Sequence, residues 1–236
     1  MEVVYNADLT VLTRMVIQAY ESSKRERFLL GITGIPAAGK STLAGGLMRQ
    51  VNQVLREEAA IMIPMDGFHY SNERLAQEGL LALKGIPATF DDAGFVGLIR
   101  KIRTAGREKI FCPAYDRGLH NPVTAAICVE PGHKIIIVEG NYLLLEAPPW
   151  QELTALIDEF WFIDVSSAVS RERLLQRHAL SGRSREEALR KIDSTDKPNA
   201  ELILQTRSRA DKIIHLKERE ETDGLPKKGN GSHFGE

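Results

Sequence analysis

Apolar residues in this chain fall into short unbroken runs separated by segments of helical period, and that pattern sets the fold before any motif is considered. Residues 28–33, 59–65, 135–138, 159–163 and 212–216 are runs of strand length with few polar interruptions, as in strands buried on both faces. Leu9, Leu12, Val16, Ala19 and Tyr20 recur at spacings of three and four, which predicts a helix over 8–24. Further helices are expected over 40–57, 93–104, 167–180, 184–192 and 197–208, and short strands near 109–112 and 125–129. Residues 67–92 are rich in Gly, Asn and Pro and show no period. A structured excursion of that length is more often functional than idle. Strands alternating with helices predict an α/β fold: an open, mostly parallel sheet with a five-stranded core and helices on both faces. From Glu218 onward Gly, Lys and Ser replace apolar residues, so 1–217 reads as one domain and 218–236 as a polar, flexible tail.

Chemistry enters between the first of these strands and the helix after it. Gly34-Ile35-Pro36-Ala37-Ala38-Gly39-Lys40-Ser41 is the phosphate-loop pattern of Gly, any four residues, then Gly-Lys-Ser. Strand, glycine loop and helix together form a nest of backbone N–H groups at a helix N-terminus, which suits a nucleotide triphosphate. The expectation is a P-loop NTPase fold that binds ATP and Mg²⁺. Residues 34–41 and Thr42 would cradle the nucleotide, Lys40 would reach the β/γ-phosphates and Ser41 would ligate the metal.

Acids stand at three predicted strand ends, where ligands of such sheets bind: Asp66, Glu139 and Asp164. Asp66 is the better base, because Gly67-Phe68-His69-Tyr70 follows and its rings can line a small pocket. Glu139, before Gly140-Asn141-Tyr142, suits the Mg²⁺ shell or substrate contact. Asp164 reads as part of an ordinary helix cap, with Ser166 and Ser167 following. The block 111–120, with Pro113 and Gly118 as breakers, reads as a shaped loop offering Tyr115 and His120 to substrate. In that loop Asp116 and Arg117 either contact ligand or pair with each other. Of the later arginines, Arg177, Arg183 and Arg185 are the choices for a glycine-hinged lid near 178–192, and one of Arg171 and Arg173 reads as solvated. His178 and His215 read as incidental, His133 as a turn residue, and His233 falls in the tail.

Composition narrows the class. At 236 residues and 43% hydrophobic content the chain can bury one sizeable core. Its 31 basic and 32 acidic residues form no long basic stripe, which disfavours nucleic acid and a polybasic membrane anchor. The apolar runs are too short to span a bilayer, and the N-terminal residues have no signal-like core. Cys112 and Cys128 read as buried thiols in a reducing, cytoplasmic setting.

Taken together, the blocks 31–41, Met65-Asp66-Gly67-Phe68-His69, 113–120 and Val138-Glu139-Gly140-Asn141-Tyr142 resemble the phosphoribulokinase, uridine kinase and bacterial-type pantothenate kinase family over roughly residues 26–217. The resemblance implies ATP-dependent phosphorylation of a hydroxyl on a small metabolite, with Asp66 as general base. It further implies an acceptor site at Tyr115, Asp116 and His120, to which the residues themselves add His69, Arg117 and Tyr142, and a lid arginine at Arg183 and Arg177. Residues 72–91 are similar to pantothenate kinases, 117–120 to phosphoribulokinase, and 193–199 to a bacterial and fungal subgroup some of whose members are labelled as sugar kinases. The expected acceptor is a sugar or sugar derivative, then a nucleoside or pantothenate-like compound, with a P-loop switch acting on a protein partner as the other class. A homodimer is compatible with this reading, and neither nucleic acid nor membrane is an expected partner.

Overall fold

The runs at 28–33 and 135–138 lie side by side at the centre of a parallel sheet in the computed structural model, which describes residues 1–217. The expectations for 218–236, His233 included, lie outside the described residues. In chain order the elements are β1 (Glu2–Ala7), α1 (Leu9–Ser23), β2 (Phe28–Thr33), α2 (Lys40–Leu55), β3 (Ala60–Pro64), α3 (Asn72–Gln77), α4 (Asp92–Thr104), β4 (Ile110–Asp116) and β5 (Asn121–Val129). They continue with β6 (Ile135–Glu139), α5 (Leu153–Leu156), β7 (Glu159–Ile163), α6 (Ser167–Leu180), α7 (Arg185–Lys191), α8 (Lys197–Leu204) and β8 (Lys212–Leu216).

The main sheet has the order β1-β8-β7-β2-β6-β3 with every pairing parallel. Every residue of β2 and β6 is buried, as the unbroken apolar runs require when helices cover both faces. Register does the positioning. Glu139 pairs with Ile32 of β2 on one side and Pro64 of β3 on the other. The phosphate loop follows β2, and Asp66 stands two residues beyond Pro64, so three chemical groups emerge from neighbouring strand ends. The crevice beyond the carboxyl ends of such strands is where this sheet type binds ligands.

Three expectations change. The sheet has a sixth strand, β1, at its edge against β8. Edge strands have one partner, and β1 is mostly exposed, so it lacks the continuous apolar run that marks the others. The excursion 67–92 contains α3 and two 3₁₀ turns, Leu81–Leu83 and Pro87–Thr89. Block 111–120 is largely strand: β4 and β5 form a separate antiparallel hairpin running through Pro113, and only its tip is a loop. Pro113 is accommodated because the register shifts between Cys112 and Ala114, where no ladder N–H is needed from it. Cys112 is buried, and burial pushes its thiol up to about 12, whereas Cys128 is only half-buried against Glu130. Among the described residues no helix is long and apolar enough to cross a membrane.

Candidate active site

The phosphate loop takes left-handed backbone at Ala37 (φ 58°) and Gly39 (φ 101°) before α2 begins at Lys40. Gly34 is required on two counts: its φ is 148°, and a Cβ there would lie 2.6 Å from the Ile163 carbonyl oxygen. Lys40 is 8% exposed and its Nζ donates to the carbonyls of Gly34 and Ile35, each at 2.9 Å. Burial holds its ammonium down at about 8 against the raising fields of Glu139 and Asp66, while Arg177 adds to the lowering. Pro36 to Thr42 line an open cleft of about 3140 Å³, whereas Gly34 and Ile35 do not, the Ile35 side chain being packed in the core. From α6, Ser170 Oγ donates to Pro36 O at 2.7 Å, and Arg173 Nη1 lies 3.4 Å from the carbonyls of Ala37 and Ala38. Arg171 is the solvated one of that pair, bonded to Asp193 at 2.9 Å.

Across the crevice Glu139 is 4% exposed and accepts from Ser41 Oγ at 3.0 Å. Burial, and then the charge of Asp66, push its carboxyl up to about 7, against Lys40, the Ser41 hydrogen bond and Arg117. Asp66 lies in the 3₁₀ turn Met65–Phe68, facing Arg117 at 3.8 Å. The turn is brought against the hairpin by Gly67, where a Cβ would meet Pro113 O at 2.4 Å. Close approach is thus the reason for glycine here. Asp164 also lines the cleft but is engaged by other partners: it accepts from Arg207 at 2.7 Å and lies 3.7 Å from His215, while Ser166 alone caps α6.

Beyond Asp66 the cleft is walled by His69 and Tyr115, ring centroids 5.1 Å apart, with Phe90 packed behind His69 at 3.9 Å. His69 Nδ1 bonds the Asp66 carbonyl at 2.9 Å, and burial lowers its pKa despite the Asp66 charge. Arg117 and His120 line the cleft; Asp116 and Tyr142 do not. Asp116 instead accepts from the N–H groups of Gly118 and Leu119 at 2.7 and 2.8 Å, holding the hairpin tip through backbone rather than by pairing with Arg117. Tyr142 is fully buried, its hydroxyl donating to Gly85 O at 2.5 Å. Several cleft residues were not singled out by type or spacing, Asn72, Lys84, Lys191, Asp196 and Asn199 among them, and they reach the cleft only through the fold.

At the far wall Gly182 has φ 83°, and Ser184 and Glu187 form a reciprocal capping box at the start of α7. Arg177 and Arg183 line the cleft; Arg185 does not. His178 is buried rather than on the helix surface. Its Nε2 lies 3.0 Å from Asp196 Oδ2 and its Nδ1 3.0 Å from Arg183 Nη1, so the carboxylate takes the ring N–H and leaves Nδ1 to accept from the guanidinium.

No protein-family model matches the chain. A Schizosaccharomyces pombe protein with a provisional uridine kinase name, C227.14, is 38% identical over 185 residues, 76% of this chain and 79% of that protein. YggC of Escherichia coli K12, uncharacterized by name, is 33% identical over 207 residues, 88% of this chain and 85% of its own. The crystal structure of a provisionally named fructose transport system kinase from Silicibacter sp. TM1040 superposes with a TM-score of 0.79 at 34% identity, over 88% of this chain and 98% of that one. The chain belongs to the phosphoribulokinase/uridine kinase family of P-loop kinases. It is accordingly an ATP-dependent small-molecule kinase.

The buried acid of this kinase has a consequence in the absence of ligands. Glu139 binds its proton more tightly in the folded chain, near 7, than at its ordinary value of 4.5. Between those values the native state holds more of that proton than the unfolded state does, so its contribution to stability falls as pH rises from 4.5 to 7 and stays lost above. The stability difference between Glu139→Gln and the wild-type kinase, measured by urea unfolding without nucleotide, is expected to shift in favour of the variant across that window. A difference independent of pH would show that Glu139 titrates normally.

Proposed function

We propose that this kinase transfers the γ-phosphoryl group of ATP to a hydroxyl of a sugar or sugar derivative, with Asp66 as general base. The observation that carries the acceptor class is the character of the pocket beyond Asp66. It offers hydrogen-bonding groups, with Asn72, Lys84, Arg117 and His120 on the cleft, rather than a stacking platform. Phe90 packs against His69, and the Lys84 ammonium stands 5.0 Å over the Tyr115 ring, so these ring faces are already engaged and a nucleoside base finds less to stack on. A polyol needs donors and acceptors more than ring faces. The name of the Silicibacter relative supports the same class. An acceptor pocket of this kind also weighs against a switch protein.

Ser41 and Glu139 fit Mg²⁺: a buried carboxylate with a hydroxyl at 3.0 Å is a hard-oxygen donor pair that would hold the ion. When bound, the ion neutralises charge on the phosphates. Asp66 accepts the proton of the acceptor hydroxyl as that oxygen attacks phosphorus. Lys40, Arg177 and Arg183 supply positive charge to the migrating group, and the wall at 178–192 excludes water that would otherwise be the acceptor.

A screen of sugars and sugar derivatives by ADP release tests the assignment. Turnover confined to nucleosides, or absent with every acceptor, would overturn it. Arg183→Ala is expected to lower kcat by about 10²-fold with much less change in acceptor KM, as for a contact made in the transition state. Cleavage by protease within 181–187 is expected to be suppressed by an ATP analogue together with acceptor; equal cleavage in both conditions, with an unimpaired Arg183→Ala enzyme, would remove the lid from the mechanism.

A further inference from the structure

The acceptor end of the cleft holds a cation that phosphoryl transfer does not use. Lys84 Nζ donates to Asn72 Oδ1 at 2.7 Å and to His120 O at 2.8 Å, and lies over the Tyr115 ring. All of these partners are neutral. Among the described residues no carboxylate stands within ion-pair distance of it. The one acid whose field reaches it is Asp66, which already faces Arg117 at 3.8 Å. Lys84 is half-buried, and burial lowers its pKa.

Its backbone is clamped as well. Lys191 Nζ donates to the carbonyls of Ala82 and Lys84, each at 2.9 Å, and Asn199 Nδ2 and Tyr142 OH both donate to Gly85 O. The fold therefore spends three side chains on fixing a partly dehydrated ammonium that has no counter-ion. A neutral amide would join the two loops as well, without the desolvation cost of a charge. An ammonium carries three donor protons, and two are committed to Asn72 and His120. The charge and the remaining donor are what a ligand anion would take.

We propose that Lys84 is a specificity-determining residue that binds an anionic group on the acceptor, a carboxylate or a phosphate, so that the acceptor is an acidic polyol rather than a neutral sugar. The inference rests on the acceptor-kinase reading above and narrows its substrate class. Such an acceptor lies with a hydroxyl at Asp66 and its anion at Lys84, and Arg117 adds a second positive charge at the same end of the cleft.

The test pairs acids with their uncharged counterparts: aldonates against alditols, and sugar monophosphates against free sugars, each of three to six carbons. ADP release and thermal shift in ADP–Mg²⁺ are read for each. An acid is expected to be preferred over its neutral partner, and the arm that responds separates carboxylate from phosphate. Lys84→Met is expected to raise KM and Kd for that acid about 10- to 100-fold, the worth of a hydrogen bond to a charged group, with a smaller change in kcat. Lys84→Arg is expected to recover part of the loss. Tyr142→Phe, at a buried side chain off the cleft, removes a clamp on the Gly85 carbonyl but keeps the charge, and it is expected to retain most of the affinity. Preference for uncharged polyols, acid affinity unmoved by Lys84→Met, or equal losses in Tyr142→Phe and Lys84→Met would each overturn the proposal. The binding arm separates two failures. No acid whose binding depends on Lys84 overturns this inference alone, whereas Lys84-dependent binding without any transfer overturns the kinase assignment of the acceptor.

Discussion

Lys40→Ala is expected to cut phosphoryl transfer by about 10³-fold or more, the scale on which fixed positive charge at a developing anion acts. The ammonium is buried and bonded to the carbonyls of Gly34 and Ile35, within the field of both Glu139 and Asp66. A point charge so placed can exchange neutral carbonyls for the β/γ-phosphate oxygens at little reorganisation cost. Lys40→Arg is expected to rescue poorly, since a planar fork does not fit where a compact ammonium sits between two carbonyls. Both variants should remain folded, because Lys40 lies at the head of α2 on the wall of the open cleft, and the apolar core is built by other side chains. Single-turnover transfer with ATP–Mg²⁺ reads the effect, and circular dichroism checks the fold. Wild-type turnover in Lys40→Ala would place the nucleotide elsewhere.

Asp66→Asn is expected to lower kcat by about 10² to 10⁴, the range of general acid–base contributions, while nucleotide affinity stays near that of the wild type. The substitution keeps size and shape and removes the proton acceptor. His69 bonds the Asp66 backbone carbonyl rather than its carboxylate, so the aromatic wall stays in place. Arg117, at 3.8 Å, loses its charge partner but is largely exposed, and the expected cost to stability is small. The decisive comparison is kcat against the Kd of ADP–Mg²⁺. Lost nucleotide affinity with kcat preserved would move Asp66 into the metal shell and the base role to Glu139.

The parts of this kinase that are legible from the chain are those whose physics is contiguous. A central parallel strand announces itself as an unbroken apolar run because both its faces are covered, and 28–33 and 135–138 show this. The phosphate loop is a backbone conformation of adjacent residues, so its glycines and Lys40 are visible in eight positions of sequence. Acids at strand ends follow from the same runs, which is why Asp66 and Glu139 could be selected before their registers were known. Edge strand β1 was not visible, since a strand with one neighbour needs no such run, and neither was a hairpin that passes through Pro113 by shifting register.

Direction and partnership belong to the tertiary structure. Tyr142 and Asp116 have the composition of ligand-binding residues, yet one hydroxyl is used on Gly85 and one carboxylate on the hairpin tip. The reverse holds for Arg173, His178 and Lys84, ordinary helix or loop residues by sequence. They meet the phosphate loop, Arg183 and the Tyr115 ring across separations of 135, 5 and 31 positions (the last being 115 − 84). Sequence by itself determined the interior strands of the sheet, the nucleotide loop and the acids beside it, because burial on two faces and a tight turn both constrain neighbouring residues. Only the folded chain decided which polar side chains face the acceptor and which are satisfied within the protein, because a hydrogen-bond partner is set by proximity in space, and residue type does not encode it.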